Sequence, residues 1–399
     1  MRIVVVGAGP AGTRVSERAA TQLPKATVVL LGEEPALPYD RVALGRVLAR
    51  EAEAEALITH DRARLAALGI HFRPAARVTA IDRAARAVIT ARGECIAWDR
   101  LVLATGARAV RLPIPGAELP SVFLYRTIAD VHALRRAAAD AARTVVIGGG
   151  LLGLEAAASL AQLGCAVTVL HAVGWPMERQ LDPTAGAMLA RVLGARRRIR
   201  FVMPATVAAI EGEERVTAVR LADGRRIAAD LVLMTVGVRP ETALARAAGL
   251  AIGRGIMVDD AMRSVDPQVL AVGECAEHRG AVCGLAAPAL AMAETAAATL
   301  AGEATGYRPR PDAAALKVSG LPVWSAGEIA PLDAEAVTLE DEAAGRCRNL
   351  WLRGGRLVGA VLVGDTADAP FYLELIETGR DVDRLRRVLA FGPAHAAAA

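Results

Sequence analysis

The sequence predicts an α/β protein with two Rossmann-like dinucleotide-binding domains plus a smaller C-terminal α+β domain. Three observations predict it. A strand, glycine loop, helix and strand open the chain; the same pattern returns near Arg143; and from about Tyr307 the alternation gives way to strand-rich sequence. At roughly 150 residues per domain, 399 residues leave room for two or three domains.

The first pattern runs Ile3 to Val6 as a strand, then Gly7-Ala-Gly9-Pro10-Ala11-Gly12, a helical run to Leu23, a second strand from Ala26 to Leu31, and Glu33 and Glu34. Gly7 permits the tight turn, Gly9 lets a pyrophosphate approach the backbone, and Gly12 lets helix pack on strand. The helix N-terminus then faces the phosphates, and a strand-end carboxylate holds ribose hydroxyls. The second pattern has a strand from Arg143 to Ile147, then Gly148-Gly-Gly150-Leu151-Leu152-Gly153, a helix to about Leu163, and a strand from Cys165 to Leu170. Two such loops in one chain suggest that one dinucleotide passes electrons to another. A duplicated binding module without redox chemistry is the alternative.

The stretch from Asp99 to Gly106 reads as a buried strand ending in Thr105-Gly106, and Asp230 to Pro240 echoes it around Gly237. Ser264 to Glu274 is a short strand ending in Gly273-Glu274. Val78–Asp82, Ala87–Thr90, Val207–Ile210 and Val216–Leu221 read as small antiparallel flaps, and Leu285 to Leu300 as a helix with Pro288 near its start. Beyond Tyr307, Lys317–Ser319, Arg346–Leu352 and Leu357–Val363 are strand-like, and Tyr372–Leu389 is helical. Glu51–Glu55 alternates Ala and Glu as a solvated helix face would.

Composition excludes other classes. Aromatic residues make up 3%, too few for stacking single-stranded nucleic acid, and a net charge of +4 is no nucleic-acid footprint. The longest uncharged stretch, Ala156 to Met177, contains Gly164, Gly174 and Pro176 and reads as helix, turn and strand rather than a membrane span. No charged and apolar leader precedes the first strand. The five cysteines lack metal or cluster spacing, so no metal is expected, and their odd, scattered distribution fits a reducing compartment. The expectation is a cytoplasmic chain.

Several stretches are more specific than a glycine fingerprint: Glu33-Glu-Pro-Ala-Leu-Pro-Tyr-Asp-Arg41, Tyr125-Arg-Thr-Ile-Ala-Asp130, Gly148 to Ala157, Gln180-Leu-Asp182, Val272-Gly-Glu-Cys-Ala276 and Gly359 to Thr366. On these the sequence resembles the two-dinucleotide-binding-domain flavoproteins. Within them it resembles the FAD- and NAD(P)H-binding part of NAD(P)H-dependent nitrite reductase large subunits. It is similar, more distantly, to putidaredoxin- and rubredoxin-reductase-like flavoproteins. The resemblance implies an FAD-binding domain over residues 1–110 and 237–306, an NAD(P)H-binding domain over 111–236, and a C-terminal domain over 307–399.

It also implies site residues. Gly7, Gly9, Pro10, Ala11 and Gly12 would face the FAD pyrophosphate, and Glu33 the ribose. Arg41 and Arg46 would lie near the flavin, Val78 by the adenine, and Thr105, Gly106 and Gly273 beside the nucleotide. Arg126 would reach the FAD phosphates or adenosine, Glu274 the ribityl chain in a place usually held by Asp, and Ala287 the isoalloxazine. For NAD(P)H, Gly148, Gly150, Leu151, Leu152 and Gly153 form the loop, Glu155 lies near the nicotinamide, and Gly237 adds a backbone contact. FAD rather than FMN follows because FMN has no pyrophosphate. An Arg46–Glu155 pairing is expected at the flavin–nicotinamide boundary as the catalytic pair.

The sequence departs from the resemblance in three places. It carries no cysteines able to hold a cluster and stops at Ala399, so it is expected to need a separate acceptor protein rather than reduce nitrite itself. Leu37 to Arg50 contains no cysteine, so electrons must leave the flavin directly. The strand before His171 lacks the acid that favours NADH; a protonated His171 could favour a 2′-phosphate, or be only a polar strand end, and relaxed selectivity is expected. The leading reading is an FAD-dependent NAD(P)H oxidoreductase in assimilatory nitrite or nitrate reduction. A ferredoxin or rubredoxin reductase of an oxygenase system is the alternative, and an NAD(H)-sensing flavoprotein resembling apoptosis-inducing factor a third. The partners expected are the nicotinamide dinucleotide and a nitrite/nitrate reductase subunit or iron–sulfur protein, with no nucleic acid and no membrane, the chain being a monomer or homodimer.

Overall fold

The computed structural model describes residues 1–304, 306–309, 313–318 and 320–396. The β-branched and leucine runs that follow or precede each glycine loop build two parallel five-stranded sheets. In the first, the strand order is Ile70–Arg73, Thr27–Leu31, Arg2–Val6, Arg100–Leu103 and Val269–Ala271. In the second it is Arg200–Val202, Ala166–Leu170, Arg143–Ile147, Leu231–Met234 and Val122–Leu124. The central strand of each sheet leads into the glycine loop, and the strand ending in Thr-Gly or Thr-Val-Gly lies beside it. Both central strands are buried apart from their first residue, as strands covered on both faces require.

The chain forms two units. The first comprises Met1–Leu44, Ala52–Arg108 and Val238–Pro309, and the second Gly45–Glu51, Ala109–Gly237 and Arg310–Ala399. In the first unit the helix Pro10–Gln22 packs against the helix Ala286–Leu300, whose buried face of Ala289, Met292, Ala293 and Ala296 permits close approach. Glu294 pairs there with Arg14 at 2.9 Å and Arg18 at 2.7 Å. The second unit contains a five-stranded antiparallel sheet ordered Ala313–Val318, Leu321–Gly327, Arg356–Val363, Arg346–Arg353 and Glu335–Asp341. Tyr372 and Leu375 of the helix Ala369–Thr378 bury against it.

The helix expected from Tyr372 to Leu389 ends at Thr378. Gly379 adopts φ +58° and closes it by donating its N–H to the Leu375 carbonyl at 3.0 Å, leaving two short 3-10 turns beyond. The Glu51–Glu55 run is solvated but not helical: a bend leads into the 3-10 turn Ala54–Leu57. Of the expected strand Lys317–Ser319, Ser319 lies outside the described residues. Among the described residues no helix is long and apolar enough to cross a membrane.

Candidate functional site

The first glycine loop is defined by what a side chain would strike. Gly7 adopts φ +109°, and a Cβ there would lie 2.1 Å from the Ala104 carbonyl oxygen. A Cβ on Gly12 would lie 1.9 Å from the Gly7 carbonyl oxygen, whereas nothing lies within 4 Å of one on Gly9. The outer glycines are locked by the fold and the middle one faces open space. The helix that follows begins at Pro10 with no side-chain cap and no acid in its first turn, so the positive end of its dipole is left for a ligand.

The second loop repeats this geometry. Gly148 adopts φ +116° with Cβ space filled by the Thr235 carbonyl oxygen at 2.3 Å. Gly153 would meet the Gly148 carbonyl oxygen at 2.1 Å, and Gly150 meets nothing within 4 Å. The helix Leu151–Gln162 also starts without a side-chain cap or an acid, and Leu151 and Leu152 remain half-buried there. Both cradles fit a pyrophosphate by the same physical criteria.

Around the first loop, Gly273 adopts φ +77° and packs so that its Cβ would lie 3.0 Å from Ala11. Glu274, half-buried, follows it. Arg41 bonds to Glu34 Oε1 at 2.7 Å and lies 5.1 Å from the Tyr39 ring centre, while Tyr39 donates its hydroxyl to Glu34 Oε2 at 2.8 Å. Burial disfavours the Arg41 charge, but Tyr39, Glu34 and Glu274 outweigh it and hold the guanidinium above its ordinary value. The structure thus brings Arg41 and Glu274 together. Glu33 is half-exposed between Arg77 at 3.5 Å and Arg108 at 3.7 Å. Val78 starts its strand; Thr105 donates its hydroxyl to the Glu241 carbonyl at 2.8 Å, and Gly106 adopts φ +70°. Ala287 is exposed in the first turn of its helix. Cys275 is fully buried, and burial pushes its thiol up.

In the second unit, Arg126 precedes the helix Ile128–Ala139, with its N–H bonded to Asp130 Oδ2 at 3.0 Å, and Gly237 is exposed with φ +102°. Ser159 donates its hydroxyl to the Glu155 carbonyl at 2.9 Å and to the Gly45 carbonyl at 3.3 Å, so the helical turn at Gly45–Arg46, within the helix Leu44–Leu48, sits on the helix carrying Glu155. The expected Arg46–Glu155 ion pair is nonetheless not formed among the described residues. Arg46 projects into solvent, and Glu155, half-buried without a neutralising partner, has its carboxyl pushed up to about 7 by desolvation. Tyr125 lies beneath this turn, with its buried hydroxyl 3.8 Å from a Cβ on Gly45 and no hydrogen-bond partner. Burial and the Glu155 charge push its phenol up. Tyr125 stands in a stretch the sequence singles out, but nothing in one sequence marks its hydroxyl.

His171 ends the strand Ala166–Leu170 and is buried. Its Nδ1 accepts the Gly149 N–H at 3.1 Å and its Nε2 lies 3.0 Å from Glu178 Oε2. Both ring nitrogens are therefore engaged within the protein, which leaves neither for a 2′-phosphate. Glu178 lies seven residues beyond His171, a spacing that no sequence rule connects to a strand end.

Residues 1–299 match the pyridine nucleotide-disulphide oxidoreductase family, and residues 313–380 match the rubredoxin NAD+ reductase C-terminal domain. The chain belongs to the pyridine nucleotide-disulphide oxidoreductase family, within the class of FAD- and NAD(P)H-dependent oxidoreductases. It is 36% identical over 98% of its length to the NAD(P)H nitrite reductase of Bacillus subtilis, and 36% identical over 96% to the assimilatory nitrate reductase electron transfer subunit of the same organism. The chain spans about half of each relative, 49% and 50% respectively. A ferredoxin reductase structure from Rhodopseudomonas palustris superimposes with a TM-score of 0.91 at 29% identity, covering 100% of both chains.

Proposed function

We propose that the chain is the electron-transfer component of an assimilatory nitrite or nitrate reductase. It would oxidise NAD(P)H at the Gly148–Gly153 loop and deliver electrons, through FAD held at the Gly7–Gly12 loop, to a separate acceptor protein. The observation that carries this reading is the duplicated cradle. In each loop the outer glycines are sterically locked, the middle glycine is open, and an uncapped helix follows. The nitrite and nitrate context is supported by the relatives bearing those names.

The chemistry that bound FAD would supply is acceptance of a hydride from the nicotinamide, with two electrons then passed to an acceptor and the proton released. The chain's residues would do the rest. Gly7, Gly9, Pro10, Ala11 and Gly12 present backbone to the FAD pyrophosphate, and the unpaired N–H groups of the first helical turn offset its charge. Arg41, held by Glu34 and Tyr39, supplies fixed positive charge, and Gly273 places Glu274 for hydroxyl contacts. Gly148, Gly150, Leu151, Leu152 and Gly153 do the same for the nicotinamide dinucleotide. Glu155, with its carboxyl near half-protonation at neutral pH, can donate its O–H to the nicotinamide carboxamide without adding a full negative charge.

A second reading, a ferredoxin or rubredoxin reductase, is supported by the C-terminal family match and the ferredoxin reductase likeness. Anaerobic stopped-flow absorbance tests both. The protein is mixed with NADH or NADPH, then with a siroheme nitrite reductase module or with a small ferredoxin. Flavin bleaching followed by faster reoxidation with the siroheme protein supports the first reading, and faster reoxidation with the ferredoxin supports the second. Absence of bound flavin, or flavin that neither nucleotide reduces, would overturn both.

A further inference from the structure

The carboxylate missing from the end of the Ala166–Leu170 strand is supplied by a later loop. Gly149 anchors that loop twice. Its N–H donates to His171 Nδ1 at 3.1 Å, and its carbonyl accepts the Met177 N–H at 2.9 Å. Only glycine fits between them, since a Cβ would lie 2.9 Å from His171 Cγ. Met177 is buried with φ +56°, and its carbonyl accepts the N–H groups of Gln180 and Leu181 at 2.8 Å, while the Trp175 indole donates to the Leu181 carbonyl at 2.9 Å. This turn places Glu178 beside His171. Because Nδ1 is an acceptor, Nε2 carries the proton and donates to Glu178 Oε2 at 3.0 Å. The Glu178 side chain stays 33% exposed, so it faces solvent next to the glycine loop while one oxygen is pinned.

We propose that Glu178 selects the dinucleotide lacking a 2′-phosphate, NADH over NADPH, with its carboxylate oriented by His171. This deepens the proposed function and rests on it. An ionised carboxylate accepts charge-assisted hydrogen bonds from the adenosine ribose hydroxyls, whereas a 2′-phosphate at the same place brings like charges together in a partly desolvated site. His171 is a positioning residue. It links the carboxylate to the backbone that would hold the pyrophosphate, so loop and selector keep one geometry. Arg179, next in the chain and exposed, is the group that opposes this selection, because a guanidinium suits a phosphate.

Isothermal titration of the oxidised flavoprotein with NAD+ and with NADP+ tests the assignment without turnover. The unmodified protein is expected to bind NAD+ at least about tenfold more tightly than NADP+. Glu178→Gln should shift the ratio toward NADP+ on the order of tenfold to a hundredfold, the effect of losing a charged hydrogen bond and a repulsion together. Glu178→Asp should restore part of the preference. His171→Asn should move the ratio in the same direction as Glu178→Gln while flavin content and thermal unfolding hold, a change that a merely structural role would not produce. Equal affinities in the unmodified protein, or a ratio that moves in Arg179→Ala but not in Glu178→Gln, would overturn the assignment. Failure of both nucleotides to bind would instead overturn the proposed function.

Discussion

A Cβ built on Gly12 would lie 1.9 Å from the carbonyl oxygen of Gly7, closer than any real contact, while one on Gly9 meets nothing within 4 Å. The same loop therefore holds one position locked by packing and one left open. Gly12→Ala should destabilise the protein by about 1–3 kcal/mol through overpacking, read as a lower urea midpoint. Gly9→Ala should leave the flavin-free midpoint unchanged, since Gly9 has φ −73°, yet release flavin more readily. Flavin retained equally by Gly9→Ala and the unmodified protein would remove the pyrophosphate from that loop.

Glu155 makes stability depend on pH. Its carboxyl is pushed up to about 7 in the folded protein, above its value in an unfolded chain. Between those values the folded state holds the proton more tightly, so the contribution of Glu155 to stability is fully present below about 4.5 and is lost as pH rises from there through about 7. Glu155→Gln should remove this slope and be more stable than the unmodified protein at pH 8 by about 1–3 kcal/mol, with a smaller difference at pH 5. Urea midpoints at the two pH values measure it. An equal difference at both would mean the carboxyl is well solvated.

Asp182 joins the C-terminal sheet to the second parallel-sheet region. Its Oδ1 accepts the Thr184 and Ala185 N–H groups at 3.0 and 3.2 Å, capping the helix Pro183–Arg197, and its Oδ2 accepts the Asn349 side-chain amide at 2.7 Å. Asp182→Ala should cost about 2–4 kcal/mol, because it removes a cap and orphans a buried donor. Asn349→Ala should cost less, and the double variant should be less destabilised than the sum of the two. Strict additivity in urea titrations would show that the two side chains do not act as one unit.

The cysteines should differ in reactivity. Cys95 is exposed; Cys165, Cys275 and Cys347 are buried, and burial with the nearby Asp182 and Glu340 pushes the Cys347 thiol up to about 12. Brief alkylation of the native protein followed by peptide mass spectrometry should label Cys95 first and leave Cys275 and Cys347 untouched until denaturant is added. Native labelling of Cys275 would contradict its complete burial.

Much of the fold was legible because its signals are local. Both strand, glycine-loop and helix patterns, the antiparallel flaps and the C-terminal change of character follow from residues within about 30 positions of one another. The helix ends at Thr378 although apolar spacing continues past Gly379, because the left-handed conformation of Gly379 outweighs that spacing. The Arg46–Glu155 ion pair is absent among the described residues for another reason. The sequence shows two opposite charges but not their exposure: Arg46 is exposed, while Glu155 is half-buried with its carboxyl pushed up to about 7 by desolvation.

The position of the two glycine loops is written in the local sequence, since φ +109° at Gly7 and φ +116° at Gly148 are open to glycine and not to a residue with a Cβ. What surrounds those loops depends on how distant segments pack. Arg41 meets Glu274 across more than two hundred residues, Tyr125 is buried under Gly45, and a turn pinned on Gly149 returns Glu178 to a strand end that carries no acid of its own. The physical reason is range. Backbone conformation is set by a residue and its neighbours, whereas charge, burial and proton affinity depend on whichever segments the folded chain packs within a few ångströms.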